Sequence, residues 1–354
     1  MGAANSALAG VDAYAWLQGS DVTTLQACLG GVEGAYKAMA TSGNAQAAQD
    51  IAAVSGPCTL LAGGTKTGLV YPFDFPDPDV IVVNGTYFAY ATNSVAGNIQ
   101  IIQSTDRTHW TAVGNALPNL PSWAAPNATW APGVVTIGGS FLLYYAVDVG
   151  GPGGGEECIS LATATQPQGP FVDSSTGPLE CQPSLGGSID PFPFVDADGT
   201  PYLLWKSNGG MPATIWVQQL VPQGNAFAAG TQPAPLLRPD QPWEWGDVEA
   251  PDMVLAGGRY FLFFSGNTWT GSGYAEGVAS CSGPLGPCTN LSTQPLLATD
   301  SGVAGPGGGS VFVDPTGAFW IAFHGFIPGA VGYPNSRDLF IRPLDLSGAV
   351  PAVG

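Results

Sequence analysis

Residues 80–91 read VIVVNGTYFAYA, and the pattern returns four times: VVTIGGSFLLYYA at 134–146, FVDADGTPYLLWK at 194–206, MVLAGGRYFLFFS at 253–265 and VFVDPTGAFWIAF at 311–323. Each copy is an apolar run, a glycine-bearing turn and a second run rich in aromatics, the signature of a β-hairpin. The turn glycines Gly85, Gly139, Gly199, Gly258 and Gly317 stand 54, 60, 59 and 59 residues apart. Five hairpins at a nearly constant long period predict an all-β, five-bladed β-propeller. A β-sandwich is the competing architecture, but nothing in a sandwich requires a constant period of this length.

Eight or nine residues before the turn glycines, the copies carry Asp77, Ala131, Asp190, Glu249 and, in the fifth, Gly308 or Gly309. Equivalent positions on the innermost strands of a propeller face one central channel. Three carboxylates, from blades one, three and four, are therefore expected to meet there. Pro78, Pro132, Pro191 and Pro251 lie close behind and are expected to hold the entering chain extended, fixing where each acid points. Asp196, Asp198 and Asp314 flank turn glycines, and turn chemistry accounts for them.

Composition bounds the function. The chain has 354 residues, of which 10% are charged, with 51 Gly, 32 Pro and a net charge of −18. Abundant glycine and proline fit strands and turns. The acidic balance argues against nucleic acid or an anionic membrane as partner and favours a neutral polymer such as a polysaccharide. No apolar run approaches the roughly 20 residues of a membrane span, and a monomer is expected. Cys28, Cys58, Cys158, Cys181, Cys281 and Cys288 form no C-x-x-C pair, and only His109 and His324 accompany them, which excludes a Cys/His zinc site. Neighbour pairing (28–58, 158–181, 281–288) is the simplest disulfide scheme, and it implies a secreted or extracytoplasmic protein.

Residues 1–68 differ. Val22, Leu25, Leu29, Val32, Tyr36 and Met39 recur at helical spacing, so an α-helical accessory segment is expected ahead of a catalytic propeller spanning 69–350.

At the blade entrances the sequence resembles glycoside hydrolase family 43, the five-bladed arabinofuranosidases, arabinanases, xylosidases and galactosidases. FDFPDPDV (73–80) is similar to the family's first-blade P-D-P motif, which implies that Asp77 is the general base. TWAPGVV (129–135) resembles its W-A-P blade, with Trp130 at the mouth. SIDPFPFV (188–195) resembles the I-D-P blade, whose Asp190 would tune and orient the acid, with Phe192 beside it as a substrate contact. VEAPDMV (248–254) resembles the E-G/A-P blade, which implies that Glu249 is the general acid. Arg337, in SRDLFIRPLDL, is similar to a substrate-contacting arginine of the last blade. Many members read G-P-G-H in the fifth blade, and that histidine helps hold a channel metal ion or water. Gly308 stands there in this chain, so no cofactor or metal is expected.

Glycoside hydrolysis needs an acid for the leaving oxygen and, in an inverting enzyme, a base that activates water, so the Asp77 and Glu249 carboxyls are expected about 6.5–9.5 Å apart, with room for that water between them. Asp190 beside Glu249 would favour the protonated acid by like-charge repulsion. Asp79, two residues from Asp77, is the rival base, and Asp247 the rival acid. Phe75, Trp130, Trp243 and Trp245 are candidates to stack on sugar faces, with packing between blades as the alternative for each. His324 lacks the Ser and Asp motifs of a hydrolytic triad. The expected activity is that of an exo-acting α-L-arabinofuranosidase. The alternatives are arabinanase, β-xylosidase, galactosidase or galactofuranosidase activity, or a non-catalytic glycan-binding propeller.

Overall fold

The computed structural model describes residues 68–354 apart from 127, 151–154 and 210–211. The expected N-terminal helices and the Cys28–Cys58 pair lie outside the described residues.

Five antiparallel sheets follow one another along the chain. The first holds β2 (Asp79–Val83), β3 (Thr86–Ala91), β4 (Gln100–Ser104) and β5 (Thr111–Asn115). The second holds β6 (Thr129–Ile137), β7 (Ser140–Asp148) and β8 (Glu157–Ala164). The third is β9 (Ser188–Val195), β10 (Pro201–Ser207), β11 (Ile215–Gln219) and β12 (Ala234–Leu237). The fourth is β13 (Val248–Ala256), β14 (Arg259–Gly266), β15 (Ala275–Cys281) and β16 (Cys288–Asn290). The last combines β17 (Ala304–Val313), β18 (Phe319–Phe326) and β19 (Asp338–Asp345) with the early strand β1 (Leu69–Tyr71) and with β20 (Ala352–Val353). Because β1 pairs with β19, the two ends of the propeller share one blade and close the ring. The innermost strands touch in the cyclic order β2, β6, β9, β13, β17 and back to β2. Among the described residues no helix is long and apolar enough to cross a membrane.

The hairpin strands are apolar at nearly every position because each blade is sandwiched between two others. In β3, Phe88 and Tyr90 pack toward the second blade, while Tyr87, Ala89 and Ala91 pack toward the fifth. In β10, Leu203 and Trp205 face the second blade, and Tyr202 and Leu204 the fourth. Alternate side chains point to opposite faces, so one strand feeds two interfaces and five separate cores result.

The turns set the register. Asn84–Gly85, Gly138–Gly139 and Gly257–Gly258 are two-residue turns with both φ values positive, the twist-matched hairpin geometry. Blades three and five use longer turns, closed by the Val195–Pro201 and Val313–Phe319 pairs.

One feature recurs at every blade entrance. Asp77, Ala131, Asp190, Ala250 and Gly308 have φ of 54°, 44°, 53°, 49° and 60°. The expectation of an extended entry is therefore corrected. The residue before each proline does avoid the right-handed helical region, but it kinks to positive φ, and ladder register shifts mark the same place in β6, β13 and β17.

Candidate active site

The kink corrects the expected equivalence of the acids. Asp77 and Asp190 occupy the kink itself, whereas in blade four that position is Ala250, and Glu249 precedes it, matching Trp130 of blade two. A one-residue offset ordinarily sends a side chain to the opposite face of a strand. Here Glu249 nevertheless reaches back across the blade interface, with its Oε2 2.7 Å from the Lys206 Nζ of blade three. Its Oε1 accepts from the Tyr274 hydroxyl at 2.6 Å. Asp190 also crosses to blade four, where its Oδ2 accepts the Ala250 N–H at 2.9 Å.

Asp77 is held by three residues. Its N–H donates to His324 Nδ1 at 3.0 Å, its Oδ2 accepts from the Thr92 hydroxyl at 2.6 Å, and its Oδ1 lies 3.3 Å from His324 Nδ1 and 3.5 Å from Arg337 Nη1. Its side chain keeps 21% exposure and that of Glu249 12%, so both are open to the channel while anchored in protein. Burial first, then the charge of Glu249, pushes the Asp190 carboxyl up to about 8; Lys206 pulls the other way and Asp77 adds to the rise. Asp190 thus senses both of the other acids. The three carboxyls form one electrostatic unit, whose titration belongs to the set rather than to any one residue.

His324 is completely buried and lies parallel to the Tyr274 ring at 5.7 Å. Burial, with Arg337 adding to it, drives its pKa well below the usual imidazole value. The neutral ring accepts at Nδ1, which places its proton on Nε2. With one nitrogen on a backbone N–H and the other protonated, His324 has no lone pair for a metal. Among the described residues no group of three or more His, Cys, Asp or Glu side chains is arranged to hold one.

Sequence reasoning missed Lys206, Tyr274 and the site role of His324. A signal for two of them existed. Seven residues after the turn glycines stand Thr92, Ala146, Lys206, Ser265 and His324. Three of these cap the kink of the next blade: Thr92 Oγ1 accepts the Ala131 N–H, Ser265 Oγ the Gly308 N–H, and His324 Nδ1 the Asp77 N–H. Tyr274 comes from a loop of blade four alone, and no repeat pointed to it.

The remaining candidates divide. Arg337 is at the site, with its guanidinium 4.4 Å over the half-exposed Trp269, which the sequence reading did not single out. Trp130 is half-buried beside its kink. Phe75 is completely buried against Tyr71 and offers no ring face to a sugar. Phe192 packs on the core between blades three and four, and Trp243 stacks on Phe264 at 5.8 Å. Trp245 is 71% exposed. Asp79 is buried and accepts the Val134 N–H at 2.7 Å; Asp252 likewise takes the Val311 N–H. Both tie one blade to the next. Asp247, the other rival, is 2.9 Å from Lys206 Nζ.

Residues 69–349 match the model of the glycosyl hydrolases family 43. The chain belongs to that family. Similar proteins include a probable arabinan endo-1,5-alpha-L-arabinosidase A of Aspergillus flavus, 28% identical over 78% of this chain and 90% of that one. A beta-D-galactofuranosidase of Aspergillus niger is 27% identical over 73% of this chain and 76% of its own. Among solved structures, a thermostable family-43 glycoside hydrolase superposes with a TM-score of 0.73 at 25% identity, covering 82% of this chain and 94% of that one. As a family-43 member the protein is a glycoside hydrolase, and its propeller places Asp77, Asp190 and Glu249 around one channel.

Proposed function

We propose that this glycoside hydrolase cleaves with inversion, with Asp77 as general base, Glu249 as general acid and Asp190 tuning and orienting the acid. The observation that carries the reading is the convergence of three carboxyls from three blades: Asp190 accepts the N–H of Ala250, the neighbour of Glu249, and the stacked pair Tyr274 and His324 links Glu249 to Asp77. Asp77, fixed by Thr92, His324 and Arg337, takes the proton of the attacking water. Glu249 protonates the leaving oxygen from the opposite side. Asp79 and Asp252 are occupied between blades, which leaves Asp77 as the acid placed to be the base.

The substrate we assign is a terminal α-L-arabinofuranosyl residue of a polysaccharide. The relative named for arabinan cleavage supports the sugar, and the one named for galactofuranosides keeps β-D-galactofuranosyl bonds as the second reading. The cleavage needs no channel metal, and the chain works outside the cytoplasm as a monomer. Two disulfides support the compartment.

The test is a panel of aryl glycosides of α-L-arabinofuranose, β-D-galactofuranose, β-D-xylose and β-D-galactose beside linear arabinan, with the first-formed anomer followed by NMR. Turnover of the arabinofuranoside to the inverted anomer, and loss of about 10²-fold or more in Asp77→Asn and Glu249→Gln, is the expected result. A retained anomer, or full activity in either variant, overturns the assignment.

A further inference from the structure

The ammonium of Lys206 is buried, with the residue 6% exposed, and it bridges Glu249 at 2.7 Å and Asp247 at 2.9 Å. The fold does not need a charge there. Ala146 holds the corresponding position in blade two and is fully buried. Thr92, Ser265 and His324 hold it in blades one, four and five and cap the next blade's kink. In blade three that duty has passed to Asp190, which accepts the Ala250 N–H. The position is thereby free for a different task, and it carries a cation whose desolvation costs several kcal/mol unless it is well paired.

We infer that Lys206 is a positioning residue for the acid step: it orients Glu249 and stabilises the carboxylate that Glu249 becomes when it gives up its proton. The inference rests on the reading of Glu249 as general acid. In the step, Glu249 passes its proton to the glycosidic oxygen as the bond from that oxygen to the anomeric carbon breaks. The bonding pair goes to the oxygen. Water bonds the anomeric carbon from the other face and loses its proton to Asp77. Negative charge therefore grows on Glu249, with Lys206 Nζ already in contact. Preorganised charge of this kind acts on the transition state more than on the ground state.

Asp247 completes the device. While Glu249 is neutral, Asp247 remains as the partner of Lys206, so the buried ammonium is never orphaned and Glu249 can cycle between its two forms. The groups acting on Glu249 are Asp190, Lys206, Asp247, Tyr274, Glu276 and His324, from β9, β10, its own segment, β15 with the loop before it, and β18. Lys206 is the one cation among them, since the buried His324 is neutral.

The experiment compares Lys206→Met, which keeps the length and removes the charge, with Lys206→Arg. Both are assayed on an activated 2,4-dinitrophenyl glycoside and on an unactivated alkyl glycoside of the sugar the enzyme accepts. An activated leaving group departs without a proton, so it reports everything except acid catalysis. Lys206→Met is expected to lose about 10²-fold in kcat/KM on the alkyl glycoside and under about threefold on the activated one. The alkaline limb of its profile moves to higher pH, and Lys206→Arg recovers most of the loss. Equal losses on both substrates with an unmoved pH profile, or no loss at all, overturn the inference. Glu249→Gln is run beside them. Full activity of that variant on the alkyl glycoside sinks the acid assignment itself, whereas its inactivity together with an unaffected Lys206→Met sinks only the role of Lys206.

Discussion

His324 fills the space beside Gly308: a Cβ at 308 would lie 2.6 Å from both Nδ1 and Cε1 of the imidazole and 3.1 Å from Asp77 Oδ1. The family pattern puts a histidine at 308. Here an imidazole comes instead from the neighbouring strand β18, and glycine at 308 is the condition for it to fit.

That relationship predicts the behaviour of Gly308→Ala. With φ at +60° a side chain costs about 1–2 kcal/mol in backbone strain alone, and the methyl group also displaces His324 from the Asp77 N–H. The expected result is a loss of about 2–4 kcal/mol in chemical denaturation together with a sharp fall in kcat/KM. Gly85→Ala is the control, because φ is +80° there but nothing lies within 4 Å. It should cost only the strain and leave turnover unchanged. Equal effects of the two variants would show that crowding at His324 is unimportant.

How much of this was legible differs from residue to residue. The five hairpins were readable because a turn that needs positive φ selects glycine or asparagine, and those residues recur at the blade period. The blade-entry acids were readable as a set, but Glu249 was placed one residue out of register. Blades three and five have longer turns than blade four, so counting back from the glycine gives nine residues to Asp190 and eight to Ala250. The aromatic candidates failed at Phe75 and Trp243 because an aromatic near a strand mouth has the same sequence pattern whether it faces a sugar or the next blade. Lys206 was hidden for the opposite reason: a lone lysine ending an apolar strand reads as a solvated end, and only the blade-to-blade comparison shows that it points inward.

Asp190→Asn separates charge from shape. The amide oxygen still accepts the Ala250 N–H, but the group that burial and Glu249 push up to about 8 no longer titrates. Removing the negative neighbour makes the acid lose its proton more readily. The alkaline limb of kcat/KM is therefore expected to shift to lower pH, opposite to Lys206→Met, with the fold intact by circular dichroism. A limb that stays in place or moves upward would refute the tuning role.

Stability should decline from mildly acidic to neutral pH. Asp79, Glu276 and Asp338 are each pushed up to about 7, foremost by burial. Between about pH 4 and pH 7 the folded chain keeps protons that the unfolded chain has released, so the unfolded state binds fewer and stability falls as pH rises. Each group contributes up to about 1.4 kcal/mol per pH unit. The measurement is Tm at pH 5 and pH 7.5 at constant ionic strength. A higher Tm at pH 7.5 would contradict the burial of these three groups as acids.

The two disulfides among the described residues, Cys158–Cys181 and Cys281–Cys288, span 23 and 7 positions. Loop-closure entropy assigns them roughly 3 and roughly 2 kcal/mol. Replacing both cysteines of the longer bridge by alanine should lower stability more than doing so for the shorter one. Both double variants should remain active, since neither bridge touches the channel. Denaturant titration of the two variants gives the comparison, and the reverse order would show that local packing outweighs the entropy of the unfolded chain.

Trp245 offers the sharpest separation of stability from function. It is 71% exposed and has φ of 51°, a conformation that costs a residue with a side chain about 1–2 kcal/mol and glycine almost nothing. Asp247, two residues on, shares Lys206 with Glu249, so Trp245 belongs to the chain segment that adjoins the acid. Trp269, under Arg337, belongs instead to the side of Asp77. Trp245→Gly is therefore expected to match or exceed the wild type in stability. Its KM for an arabinooligosaccharide should rise about tenfold, the equivalent of roughly 1.4 kcal/mol, while KM for a small aryl arabinofuranoside stays put. Trp269→Ala should raise both. If Trp245→Gly weakens the two substrates alike, the acid side of the channel is not where the remainder of the chain binds.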